Sequence, residues 1–215
     1  TCVDISSTIS IDRKFNGATT AANGLVIFAP LHSDCVGVFD PTTNAFTCVD
    51  ISSTISRTNK LSGAPTAANG LVIFAPMHAD CVGVFNPTTN AFTCVDISST
   101  ISIDRKFQGA TTAANGNVIF APWQADCVGV FDPTNNAFTC VSIPSTISSD
   151  GKFAGATTAA NGLVIFAPRN ADCVGVFNPT NNAFTCVDIS STISSDGKFG
   201  GGTTAANGDV IFTPT

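Results

Sequence analysis

Short apolar runs of about five residues recur along the chain and alternate with clusters of Gly, Pro, Asn, Ser and Thr. No long segment places apolar residues every three or four positions, as an amphipathic helix would. The runs are instead rich in β-branched and aromatic residues and bounded by turn signals, which predicts strands. Strand A is Lys14–Asn23, strand B Leu25–Ala29, strand C Cys35–Phe39 and strand D Phe46–Ile51. Strand B is apolar at every position, so it is expected to be buried on both faces. Strand A carries mainly Gly, Ala and Thr, which suits a crowded innermost position. Asn23-Gly24 predicts a type I′ hairpin between A and B. Asp40–Asn44 predicts a turn between C and D, with Pro41 presetting φ and Asp40 and Asn44 bonding nearby backbone.

The same pattern returns every 46 residues: Cys2, Cys48, Cys94, Cys140 and Cys186 keep that spacing, as do Gly24, Gly70, Gly116, Gly162 and Gly208. A period of this length falls in the range of propeller blades. The 215 residues hold four full repeats and 31 more. The copies are nearly identical, as recent amplification or deliberate design would leave them; the sequence does not separate the two.

"NGLVIFAP", "VGVFDPTTNAF" and the small-residue strand before "NG" resemble the kelch repeat over essentially the whole chain. The chain departs from that pattern at Ala29-Pro30, in place of two glycines, and at Phe46, in place of Trp. The resemblance implies an all-β β-propeller with four antiparallel strands per blade; the repeat count makes it five-bladed, fewer blades than most kelch propellers have, with residues 1–215 forming a single domain. The chain opens on a D-type segment, "TCVDIS", and closes on a B-type one, "DVIFTPT". The N-terminal strand is therefore expected to close the last blade, which would lack one strand and present an edge for pairing between chains. A monomer is otherwise expected.

Composition narrows the function. Charged residues make up 11%, and the net charge is −6. An acidic chain of this kind argues against nucleic acid as partner. No apolar run approaches a membrane span. The chain starts without Met and without a signal-peptide pattern, which reads as a processed or trimmed product. Its localisation stays open.

Cysteines come in pairs thirteen positions apart: Cys35/Cys48, Cys81/Cys94, Cys127/Cys140 and Cys173/Cys186. Centring the hairpin on Pro41-Thr42 sets Cys35 opposite Cys48. Two readings stand: small buried hydrophobes between blades, which is the commoner fate of free Cys, or four cross-strand disulfides. Metal is not expected, since two thiolates per blade, without CxxC and mostly without a nearby His, make no tetrahedral set.

An active site needs an asymmetric set of base, orienting group and nucleophile. His32 and His78 occupy one repeat slot, whose counterparts are Gln124 and Asn170. No phosphate loop or cofactor motif is present, so neither catalysis nor a cofactor is expected. Copies differ most in the B–C loop, at 31–33, 77–79, 123–125 and 169–171, and in the D–A loop. Both loops emerge on one face, where His32, Met77, His78, Trp123 and Arg169 are candidate ligand-binding residues for a protein or small polar ligand. Lys14, Lys60, Lys106, Lys152 and Lys198 begin the A strands and form a candidate anion-binding ring. The competing reading pairs them with Asp34, Asp80, Asp126 and Asp172. The function expected is a non-catalytic repeat scaffold or interaction module; the alternative is a multivalent, lectin-like propeller with one weak sugar site per blade.

Overall fold

The computed structural model describes residues 2–215. The chain divides into two compact units, Thr1–Ser102 and Ile103–Thr215. The first holds two antiparallel sheets. One runs in sequence order through β1 (Phe15–Thr20), β2 (Val26–Pro30), β3 (Cys35–Asp40) and β4 (Ala45–Asp50); the other does so through β5 (Leu61–Ser62), β6 (Val72–Pro76), β7 (Cys81–Asn86) and β8 (Ala91–Asp96). The second unit repeats the arrangement. Its first sheet is β9 (Phe107–Thr112), β10 (Val118–Pro122), β11 (Cys127–Asp132) and β12 (Ala137–Ser142). Its second is β13 (Phe153–Thr158), β14 (Val164–Pro168), β15 (Cys173–Asn178) and β16 (Ala183–Asp188), and a two-stranded sheet of β17 (Phe199–Thr204) and β18 (Val210–Pro214) follows. Among the described residues, no helix is long and apolar enough to cross a membrane.

Period-two alternation gives each sheet two apolar faces. In the first unit Ile27, Ala29, Val36 and Val38 of one sheet pack on Leu61, Val72, Phe74 and Phe85 of the next. In the second, Ile119, Ala121, Val128 and Val130 pack in the same way on Phe153, Val164, Phe166 and Phe177. An aliphatic face thus meets a phenylalanine face each time. Burying a Val, Ile or Phe side chain is worth about 1.5–3 kcal/mol, so these contacts dominate the stability of each unit. First strands of adjacent sheets approach closely: a Cβ on Gly17 would stand 2.9 Å from Gly63 Cα, and one on Gly109 2.8 Å from Gly155 Cα. That approach explains the small residues of strand A.

Four expectations need correction. The A–B turn is not type I′, because Asn23 keeps negative φ and only Gly24 is positive, at +84°. Gly24 N–H donates to Ala21 O at 2.9 Å and Ala21 N–H to Leu25 O at 2.8 Å. This is a three-residue loop ending on a left-handed glycine. Asn23 is thereby freed to donate its side-chain amide to Pro87 O, 2.9 Å away in the next sheet's turn, and Asn115 does the same to Pro179 O at 2.8 Å.

Secondly, Cys35 does not lie opposite Cys48. The register pairs Cys35 with Asp50 and Gly37 with Cys48, so the cysteines are diagonal neighbours on one face. Strand twist shortens that diagonal to a Cα separation of 5.3 Å, and the structure joins the pair as a disulfide, not as two free hydrophobes. Cys81–Cys94, Cys127–Cys140 and Cys173–Cys186 are joined likewise, at 5.3–5.4 Å, and Cys2 is free and exposed.

Thirdly, strand A of the second repeat shrinks to two residues. Pro65 replaces Thr19 of the first repeat and has no N–H to give the ladder, leaving only an isolated bridge, Thr66 to Val72, beyond it.

Lastly, the last sheet has two strands and no third from the N-terminal segment, whose described residues up to Lys14 form no strand. Elsewhere the D sequence is held by the C strand of its own hairpin, as β4 is by β3, and residues 2–6 have no such partner. A strand without a ladder does not persist in water.

Candidate functional site

A pocket recurs at the same position in three repeats. In the first it is lined by Thr8, Ile9, Ser10, Ile11, Asp34, Cys35, Cys48 and Asp50, with a cavity volume of about 310 Å³. The second repeat places Thr54, Ile55, Ser56, Arg57, Asp80 and Asp96 around the Cys81–Cys94 bridge, with about 270 Å³. The fourth places Thr146, Ile147, Ser148, Ser149, Asp172 and Asp188 around Cys173–Cys186, with about 470 Å³. Each pocket lies between the connection entering the repeat and the outer C–D hairpin, with the disulfide as its floor.

The connection is held in place by its own backbone. Thr54 and Ile55 N–H both donate to Ile51 O at 2.9 Å, and Ser52 N–H donates to Asp50 Oδ1 at 2.8 Å. That bond from Ser52 holds the Asp50 carboxyl below the ordinary carboxylate range; Ser98 does the same for Asp96 and Ser190 for Asp188. These outer carboxylates therefore stay ionised at neutral pH.

The inner carboxylate has a different environment. Lys60 is buried, with its Nζ 3.0 Å from Asp34 Oδ1 and donating to His32 O at 3.2 Å. Lys152 contacts Asp126 at 3.1 Å and Lys198 contacts Asp172 at 3.4 Å in the same way. Lys60, Lys106, Lys152 and Lys198 are all buried, while Lys14 is half-buried. The expectation of a ring of solvent-facing ammonium groups at Lys14, Lys60, Lys106, Lys152 and Lys198 is corrected accordingly. In three repeats the ammonium is turned into the seam with the preceding sheet, where an aspartate and a carbonyl satisfy it.

Side chains singled out in the variable loops are half-buried, and those of His32, Trp123 and Arg169 make local contacts. His32 Nε2 lies 3.1 Å from Asn59 Oδ1. Met77 and His78 lie on the loop after β6, and His78 O accepts from Arg57 at 2.9 Å. Trp123 and Arg169 come together, with the guanidinium carbon 5.6 Å from the ring centroid. Asn170 crosses to the adjoining connections, donating to Asp150 O at 2.6 Å and accepting from Gly197 N–H at 3.0 Å. Within the first unit His32 lies on the loop after β2 and Met77 and His78 on the loop after β6; within the second, Trp123 and Arg169 form a stacked pair. The pocket carboxylates were missed as a site because each pair, such as Asp34 and Asp50, is sixteen residues apart in sequence. Register alone brings them to one end of the hairpin. The signal available was their return, with Ser or Thr nearby, in almost every copy.

No protein-family model matches the chain, and no curated protein matches it. Solved structures do. A streptogramin B lyase superposes with a TM-score of 0.77 at 15% identity over 96% of this chain and 64% of that one. A catalytically inactive virginiamycin B lyase from Staphylococcus aureus, solved with quinupristin, gives 0.77 at 15% identity over 96% and 65%. A chain of a nidogen/laminin complex gives 0.67 at 11% identity over 93% and 72%. The chain thus spans somewhat under two thirds of the length of the lyases it resembles. The likeness establishes an all-β fold of repeated propeller-type blades and does not single out kelch proteins.

Proposed function

We propose that this chain is a non-catalytic interaction module, built of kelch-like repeats and working as one domain over residues 1–215. Its recurring pocket takes side chains of a protein partner or small polar ligands. The observation that carries this reading is the return of one pocket, with the same residue types, in the first, second and fourth repeats. Several weak equivalent positions on one chain gain strength together when a partner engages more than one. A single catalytic centre would instead call for groups concentrated in one repeat.

The lectin-like reading shares the same pockets but lacks their usual aromatic platform: no pocket lining named above includes an aromatic ring, and Trp123 is stacked with Arg169. Binding of the immobilised chain to peptide and glycan arrays tests the choice. Saturable peptide binding with more than one equivalent per chain supports the interaction module. Strong, saturable glycan binding without peptide binding would reverse it in favour of the lectin.

A further inference from the structure

The second-repeat pocket carries one long cationic side chain that its counterparts lack, and that residue occupies it. Position 57 is Arg, where the first repeat has Ile11 and the fourth Ser149. Arg57 Nη1 donates to His78 O at 2.9 Å and to Asp80 Oδ2 at 3.3 Å. Its presence reduces both the space and the exposure of the acceptor. The cavity is about 270 Å³, against about 310 and 470 Å³ in the first and fourth repeats. The Asp80 side chain is 49% exposed, against 70% for Asp34 and 69% for Asp172.

From this internal comparison we propose that the pockets of the first and fourth repeats are guanidinium-binding sites, taking arginine side chains of a partner protein where Arg57 fills the second from within. The proposal rests on the reading of the pockets as binding positions and adds the chemistry they select. Each carries the acceptors that Arg57 uses. In the first repeat these are His32 O and the Asp34 carboxylate; in the fourth they are Asn170 O and the Asp172 carboxylate. Lys60 and Lys198 already touch these groups from the buried side. A carbonyl or carboxylate oxygen still has lone pairs for a second donor from solvent. Charge favours a cation: each pocket is lined by two carboxylates, Asp34 with Asp50 and Asp172 with Asp188, and a single ammonium touches only the first of each pair. The planar fork of a guanidinium can span a carbonyl and a carboxylate together, which a compact ammonium does less well.

Titration of the isotopically labelled chain with N-acetyl-L-arginine methylamide, followed by amide chemical shifts, tests the assignment. The expected result is saturable shifts at Asp34–Cys35 and Asp172–Cys173, with the lysine analogue binding several-fold more weakly. Arg57→Ser, which installs the residue found at position 149, is expected to add a third response at Asp80–Cys81. Ile11→Arg and Ser149→Arg, which copy the second repeat, are expected to weaken binding at their own pockets about tenfold, leaving the Lys–Asp contacts in place. Comparable shifts at the half-buried turn carboxylates Asp40 and Asp132 would overturn the proposal, as would an Arg57→Ser chain without a new response. Pockets that answer to a peptide free of arginine but not to the arginine probe would sink the guanidinium assignment and leave the interaction module standing. No response to the probe, together with no hit on the arrays, would remove both.

Discussion

Arg13, Asn59, Arg105, Gly151 and Gly197 share one slot in the repeat, and all five have positive φ, between 48° and 69°. Left-handed backbone costs an ordinary side chain roughly 1–2 kcal/mol, part of which a glycine returns through its freer unfolded state. Arg105→Gly is therefore expected to stabilise the chain by roughly 0.5–1 kcal/mol, read as a higher midpoint in urea with unchanged slope. Variation at this slot looked like a binding signature in the sequence, yet the backbone accounts for much of it. The buried lysines are asymmetric in a second way. Lys152 is buried, while the Asp126 side chain it meets is 89% exposed. Removing the aspartate leaves a buried ammonium poorly neutralised, whereas removing the lysine releases an aspartate already in water. Asp126→Asn is expected to cost about 1.5–3 kcal/mol, and Lys152→Met distinctly less. Equal losses in denaturant melts would contradict that account.

Among the elements, the outer hairpin is the most strongly tied. Its bridge closes a short loop, and cross-links of that size contribute up to about 3 kcal/mol. Thiol titration of the denatured chain should find one reactive thiol, Cys2, without reductant and nine with it. The double variant Cys127→Ser with Cys140→Ser should lose about 2–3 kcal/mol. Strands B, C and D were legible in the sequence to within a residue or so, because apolar runs bounded by Pro, Asn and Asp leave little freedom of register. The disulfides were not, because the pairing depends on strand twist and on which diagonal closes, and Cys35 and Cys48 carry no sign of either. The A–B turn was misjudged for a similar reason: Asn-Gly suits two turn types, and the bond from Asn23 to Pro87 that selects one lies in another repeat. Pocket residues were visible singly and became a site only once Asp34 and Asp50 were brought together at the end of one hairpin.

At the scale of the whole molecule, the open question is cooperativity. A single domain over residues 1–215 is expected to unfold in one calorimetric transition whose enthalpy matches the van't Hoff value. Two transitions would divide the chain into the units Thr1–Ser102 and Ile103–Thr215. Repeat proteins draw stability from contacts between neighbouring repeats, and within each unit here one sheet packs on the next. A flaw in one copy is then felt locally. Pro65 is such a flaw, and it sits over the buried residues Leu61, Ala64 and Ala67. With the ladder interrupted there, the edge of the second sheet has fewer backbone bonds to break than its counterparts. It is the place where amide protons should exchange with solvent soonest relative to their burial, a breathing point written into one repeat and absent from the others.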